Sequence, residues 1–343
     1  MRNKLTMFVF LALSAAADPA QPALSPTNIF APISTPADSI FGLSMFVLGV
    51  SAAIFIVVFS LLAYAVLKFR AKQGDHEREP PQIYGSAQVE LAWTVIPVLI
   101  VVVLFLATAR VVASVQNAAR PPGAIEVTVI GHQYWWEYRY PNLKVVTANE
   151  LHVPLSDPAH PTPTFLTLLS ADTDHSFWVP RLAGKTDLIP NHPNSMWIDP
   201  HETGLYLGQC SQYCGVQHAK MLLRVYVQTR AEFDRWIEQQ KQPASAIQVT
   251  DQAAAQGRQI FESTACVNCH TVSGTAAEGR FGPDLTHLMT RDTLASGAVQ
   301  NTPENLRRWL RDPNLLKPGC LMPAMELSDT QLNAVAAYME TLR

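Results

Sequence analysis

The chain has 343 residues and five cysteines, four of them in close pairs: Cys210 with Cys214, and Cys266 with Cys269. In an oxidising compartment such a pair becomes a disulfide unless something engages it, so the neighbours decide the chemistry. The first pair lies in Gly208-Gln-Cys-Ser-Gln-Tyr-Cys-Gly-Val-Gln-His-Ala-Lys-Met221, which brings two thiols, the imidazole of His218 and the thioether of Met221 into one loop. His175, in Asp172-Thr-Asp-His-Ser-Phe-Trp-Val-Pro180, can add a second imidazole. Soft sulfur with imidazole is a ligand set that copper favours. Zinc on Cys210, Cys214, His175 and His218 has the right count for a tetrahedral site but leaves Met221 unexplained, and a plain disulfide with bystander histidines is a third reading. The second pair forms Cys266-Val-Asn-Cys-His270, a C-x-x-C-H motif that reads as covalent attachment of a c-type haem, with His270 beneath the iron. A thioredoxin-like redox pair would need a βαβ setting, which the surrounding sequence lacks. A thioether as the other axial ligand raises the iron potential as an electron carrier requires. Met322, in Lys317-Pro-Gly-Cys-Leu-Met-Pro323, is the first candidate and Met325 the second. The unpaired Cys320 reads as a small buried thiol.

These groups need a frame. Hydrophobic residues make up 48% of the chain and charged residues 15%, and the apolar excess lies in the first third. Arg2 and Lys4 before an apolar run that closes on Ala15, Ala16 and Ala17 have the layout of a secretory signal, giving a signal peptide over 1–17. Segments 39–67 and 91–109 contain no charged side chain, and each is long enough to span a bilayer, which takes about 20 apolar residues. Lys68, Arg70, Lys72 and Arg78 lie between them, whereas 18–38 has no Lys or Arg, so the connection is expected in the cytoplasm and everything after Arg110 outside. From Ala124 the texture turns to short β-rich runs, 125–130, 165–169 and 221–228, parted by Pro, Asn, Asp and Gly, as in a small β-sandwich or barrel. Segment 231–240 reads as a helix and 241–249 as a linker. Beyond it the strand signal disappears, and helices are expected at 251–263, 303–311 and 328–342. A net charge of -3 is uninformative by itself, and with no basic stripe in the chain nucleic-acid binding is not expected.

The copper constellation resembles subunit II of the haem-copper cytochrome c oxidases, whose cupredoxin domain holds a dinuclear CuA centre. That resemblance implies that Cys210 and Cys214 bridge two coppers, that His175 and His218 bind one each, that Met221 is a weak ligand, and that Gln212 contributes its backbone carbonyl. Many members have Glu where this chain has Gln212, and a neutral amide is a poorer ligand for a hard cation, so an accessory magnesium site is in doubt. Gly131-His-Gln-Tyr-Trp-Trp-Glu-Tyr138 resembles the family's aromatic stretch, where a surface ring receives electrons from cytochrome c; Tyr134 stands where Trp is usual, so Tyr134 and Trp135 are the candidates. Glu90-Leu-Ala-Trp-Thr-Val-Ile-Pro97 also resembles the family, and Glu90 would lie near the mouth of a proton channel of subunit I. The C-terminal part resembles class I cytochromes c: Gly282-Pro-Asp-Leu285 would let the Pro283 carbonyl orient His270, and Gly257, Phe261 and Tyr338 look like the crossing of first and last helices.

The residues and the resemblance together imply a multidomain chain: signal peptide 1–17, two-helix transmembrane hairpin 39–110, cupredoxin domain 123–230, helix and linker 231–248, and a small all-α cytochrome c domain 249–343. With two one-electron sites and no acid, base or open metal position for bond-making, such a chain is a relay. The implied whole is a cytochrome-c-fused, proton-pumping oxidase of the bacterial plasma membrane. Its partners would be haem-copper subunit I, subunit III, and cytochrome c or a cytochrome bc complex as donor. The corresponding subunit of a copper-type nitric oxide reductase is the alternative. A tethered copper chaperone is disfavoured by the haem motif, and a quinol oxidase subunit would lack the copper ligands.

Overall fold

The computed structural model describes residues 27–70, 82, 84–157, 159, 161–244 and 251–343. The expected signal peptide, Lys72 and Arg78 of the connection, and residues 245–249 of the linker lie outside the described residues.

Helices α1 (Thr35–Lys68) and α2 (Ala87–Gln116) contain the two charge-free segments and extend beyond them at both ends. Residue α2 side chains are nowhere buried and α1 buries only Pro36 and Ala37, so the apolar side chains face outward, as lipid-facing spans do. The outer ends of both helices are tied to the β domain. The Thr35 hydroxyl donates to Asp199 Oδ2 at 2.6 Å, the Ser34 hydroxyl accepts from the Asp199 amide at 2.8 Å, and the Trp197 indole donates to the Val115 carbonyl at 2.7 Å. The β domain therefore sits on the side where α1 begins and α2 ends.

That domain consists of β1 (Ile125–His132), β2 (Trp135–Tyr140), β3 (Val145–Ala148), β4 (Glu150–Pro154), β5 (Thr164–Ser170), β6 (His175–Trp178), β7 (Thr186–Leu188), β8 (Asn194–Ile198), β9 (Gly204–Cys210) and β10 (Leu222–Gln228). They form two five-stranded sheets, in the orders β3-β2-β1-β5-β8 and β4-β10-β9-β6-β7. The expected runs are β1, β5 and β10. In β10 the alternation is strict: Leu223, Val225 and Val227 are buried, while Leu222, Arg224 and Tyr226 on the other face are only half-buried. The core between the sheets includes Trp136, Tyr138, Leu151, Leu168 and Phe177. Helix α3 (Arg230–Gln240) follows at the expected place. Its start is a reciprocal cap in which the Thr229 hydroxyl accepts from the Glu232 amide and the Glu232 carboxylate from the Thr229 amide, an arrangement worth about 1 kcal/mol. His152 is stacked between Trp236 of this helix, at 4.2 Å, and Tyr226 of β10, at 4.8 Å.

The C-terminal domain contains α4 (Gln252–Ser263), the one-turn α5 (Cys266–Cys269), α6 (Pro303–Arg311) and α7 (Asp329–Met339). Helices α4 and α7 cross where expected: a Cβ on Gly257 would lie 1.9 Å from the Ala334 carbonyl oxygen, so only glycine permits this approach, and the Phe261 and Tyr338 rings meet at 5.7 Å. The expectation of no strands beyond the linker is corrected by a hairpin, β11 (Thr293–Leu294) with β12 (Val299–Gln300). Strands of two residues cannot display an alternating pattern, so no periodicity announced them.

Candidate functional site

Strand β9 ends on Cys210, and the chain returns to β10 through a loop closed by the Cys210 amide donating to the Met221 carbonyl at 3.0 Å. The loop turns again where the His218 amide donates to the Gly215 carbonyl at 3.0 Å. This folding gathers the expected ligands. Sγ of Cys210 and Sγ of Cys214 are 3.8 Å apart, and both thiols are free. His175 Nδ1 is 3.9 Å from Cys210 Sγ, His218 Nδ1 is 3.8 Å and Met221 Sδ 3.9 Å from Cys214 Sγ, and the Gln212 carbonyl oxygen is 3.2 Å from Cys210 Sγ. Among the described residues, His175, Cys210 and Cys214 form a buried cluster of potential metal ligands. A bound metal atom sits about 2.3 Å from thiolate sulfur, so donors spaced in this way can share ions between them.

The electrostatics favour a thiolate at Cys210. Hydrogen bonding with Cys214, followed by that with His175, holds the Cys210 thiol well below its ordinary range despite burial, so it is the first of the pair to become thiolate. Burial by itself would depress the His175 imidazole, but the hydrogen bonds to Asp172 and Cys210 outweigh it and leave the ring raised. Asp172 Oδ1 lies 2.8 Å from His175 Nε2 and so directs Nδ1 toward the sulfurs. The sequence reading did not single out Asp172, although its position three residues before His175 was a usable signal.

The second site is a cavity of about 360 Å³ lined by Cys266, Cys269, His270, Pro283, Met322 and Met325. The Nδ1–H of His270 donates to the Pro283 carbonyl at 2.8 Å, which leaves Nε2 as the coordinating atom. Burial lowers the pKa of this imidazole and keeps it in the neutral form a metal needs. A Cβ on Gly282 would stand 2.6 Å from the His270 ring, so glycine is what lets the ring lie there. Phe261, Leu285, Leu306 and Leu310 supply apolar walls. Arg291 is buried against the same cavity; one of its nitrogens donates to the Asp284 carbonyl at 2.5 Å, while its Nε has no partner. An apolar slot with two thiols, an imidazole, thioethers and an orphaned guanidinium donor fits an apolar macrocycle that carries acidic side groups. The residues present thus suit a haem.

One expectation changes, that of a buried Cys320, and the two candidate entry rings stand against the second site. Tyr134 and Trp135 are each only 9% exposed and line this cavity, together with Gln133 and Asn149, so the rings face the C-terminal domain and not open solvent. Cys320 is half-buried and also lines the cavity, because the Lys317–Met322 loop lies along its rim. Glu90 is exposed in the first turn of α2, where its carboxylate folds over Gly85. Gln212 is exposed on the loop, with its carbonyl toward the sulfur cluster. Gln133 went unnoticed in the sequence; it lines the cavity while its amide donates to the Cys214 carbonyl at 2.7 Å.

Residues 26–111 match the family described as cytochrome c oxidase subunit II, transmembrane domain; residues 125–228 match its periplasmic domain; and residues 254–343 match cytochrome c. Cytochrome c oxidase subunit 2 of Alkalihalophilus pseudofirmus is 35% identical over 301 residues, 86% of this chain and 84% of that one. The protein of the same description from a Bacillus species, strain PS3, is 32% identical over 292 residues, 80% of each chain. The crystal structure of the periplasmic domain of cytochrome oxidase subunit II from Bradyrhizobium japonicum is similar at 29% identity and a TM-score of 0.33, covering 36% of this chain and 97% of that one. The nitric oxide reductase alternative finds no support among these relatives.

Proposed function

We infer, since this chain belongs to the cytochrome c oxidase subunit II family and carries a cytochrome c domain after it, that it is the electron-relay subunit of a proton-pumping terminal oxidase. Electrons pass from a cytochrome c or a cytochrome bc complex through the C-terminal domain to the β domain, and from there to a haem-copper subunit I that reduces dioxygen to water. Subunit III completes the assembly. The reading places the chain in the bacterial plasma membrane with both redox domains on the periplasmic side, after removal of a signal peptide over 1–17. The working division is a two-helix anchor over 39–110, a cupredoxin domain over 123–230, a helix and linker over 231–248 and a cytochrome c domain over 249–343.

In this reading Cys266 and Cys269 would attach haem c, and His270 and Met322 would hold its iron, with Pro283 fixing the imidazole. Cys210, Cys214, His175 and His218 would hold copper, with Met221 as a weak thioether ligand and the Gln212 carbonyl as a further donor. When bound, both cofactors supply one-electron chemistry in which no bond is made or broken. The protein keeps the His270 ring neutral, directs His175 through Asp172, and walls the haem cavity from water with apolar side chains. Glu90 stands on the cytoplasmic side, at the mouth of a proton channel of subunit I. Gln212 presents a neutral amide, a poor ligand for magnesium, at the position between the two cysteines.

The observation that carries the reading is Gln133. Its side chain belongs to the wall of the C-x-x-C-H cavity and bonds to the backbone of Cys214, so the two candidate redox sites stand back to back. Electron paramagnetic resonance of the full chain in detergent, with haem matured and copper supplied, tests it. A hyperfine pattern from one electron shared over two coppers, beside a low-spin haem signal, is the expected result. A single-copper or silent spectrum, with zinc or a disulfide found at Cys210 and Cys214, overturns it.

A further inference from the structure

The two redox domains meet through polar bonds that converge on the β11–β12 hairpin. Its tip, Ala295, Ser296 and Gly297, has φ values of 55°, 60° and 83°, a left-handed run that turns the chain tightly and presents backbone groups outward. The Leu222 amide donates to the Ser296 carbonyl at 3.2 Å, and the Ser296 hydroxyl donates to the Leu222 carbonyl at 3.3 Å. Leu222 directly follows Met221, so the hairpin tip rests beside the sulfur cluster.

Each domain also contributes one buried charge to this contact. Glu150, at the start of β4, is 2% exposed. Its Oε1 accepts from the Thr293 amide at 3.0 Å and the Thr293 hydroxyl at 2.9 Å, and its Oε2 accepts from the Asp292 amide at 3.1 Å. All three donors belong to the haem domain; within its own domain the nearest cation is Arg224, with Nε 4.0 Å away. Lys317, of the haem domain, is likewise 2% exposed, and its ammonium donates to the Tyr134 carbonyl of the β domain at 2.8 Å and to the Ala295 carbonyl at 3.1 Å. Tyr226 of β10 donates to Asp292 Oδ2 at 2.6 Å.

A charge removed from water is tolerated only when it is fully hydrogen-bonded, and hydrogen bonds fail beyond about 3.5 Å. An apolar contact could slide by that much, whereas this one cannot without stranding both charges. Among the described residues, the hydrogen bonds to the Glu150 carboxylate come from the haem domain, so docking is what satisfies it. We propose that Glu150 and Lys317, acting through the 293–300 hairpin, are positioning residues that hold the haem domain in one register on the copper domain, with Gln133 and Tyr134 as the wall between the sites. The proposal rests on the relay reading above. The step it serves moves one electron from the reduced haem to the oxidised copper pair, with no bond or proton transferred.

The test uses the full chain in detergent and the variants Glu150→Gln, Lys317→Met and Tyr226→Phe. The first measurement is hydrogen exchange of the 291–296 amides, made with and without cofactors. The second is haem-to-copper transfer after a pulse of a photogenerated one-electron reductant. Removing a buried, hydrogen-bonded charge should lower protection of the Asp292 and Thr293 amides roughly thirtyfold in the first two variants, with a smaller loss in Tyr226→Phe. Transfer should slow at least about tenfold as the geometry is lost, with the copper and haem spectra unchanged in Glu150→Gln and Tyr226→Phe. Unchanged protection, or lost protection with an unchanged rate, overturns the positioning role. Failure of the parent chain to take up copper or haem would instead defeat the relay reading, and the exchange data on the cofactor-free chain would still decide whether the two residues clamp the domains.

Discussion

Every side chain in the sulfur cluster comes from the β domain, and Cys214, His218 and Met221 come from the single loop that joins β9 to β10. The haem cavity, in contrast, takes its attachment motif from the C-terminal domain and part of its wall, Gln133, Tyr134, Trp135 and Asn149, from the β domain. A loop pinned between adjacent antiparallel strands has its geometry settled as soon as those strands pair. A cavity walled by two domains is finished only when they dock. The copper site should therefore tolerate damage to its neighbour better than the haem site does.

The sharpest way to break this comparison is to replace Cys266 and Cys269 together by Ala. All covalently retained haem should be lost on a denaturing gel stained for haem, while copper content and the copper spectrum of the full chain remain those of the parent. Loss of copper as well would show the two sites to be built together. The reverse experiment is Cys214→Ser, which removes the sulfur nearest to His218 and Met221. The shared-electron copper signal should vanish and bound copper fall below the parent's stoichiometry, with the haem absorption spectrum intact.

Stability changes should be smaller and equally local. Gly257→Ala would force a methyl group into the Ala334 carbonyl at the α4–α7 crossing, an overpacking expected to cost about 3 kcal/mol. Denaturant unfolding followed through haem absorbance should reveal it, whereas the copper signal should persist to the parent's midpoint. The β domain has a sensitivity of its own at His152, stacked between Trp236 and Tyr226. Burial pushes this imidazole down to about 4 from 6.5, so the fold favours the neutral ring. The unfolded chain binds the proton more readily between those values; the associated stability is complete above pH 6.5 and is lost as pH falls toward 4. The loss should be about 3 kcal/mol, and His152→Phe should flatten that slope in pH-dependent unfolding of the β domain.

Much of this organisation could be read along the chain because its determinants are local. Two charge-free segments specify spans since lipid offers no partner to a charge, and the alternation in β10 specifies a strand with one covered face. The residues from Cys210 to Met221 and from Cys266 to His270 carry their chemistry in windows short enough for type and spacing to reveal it. Asp172 was legible too, by its nearness to His175. Gln133, Glu150, Arg291 and Lys317 were not, because nothing beside them in sequence explains them. Glu150 meets Thr293 across 143 residues and Lys317 meets Tyr134 across 183. A lone Glu or Lys next to a turn is ordinary surface until another domain removes its water. The same holds for Tyr134 and Trp135, whose place in a wall shared by both domains depends on docking. Residue order determined which groups could hold copper and haem; the packing of one domain on the other decided what lies between them, since only there do distant charges lose solvent and need each other.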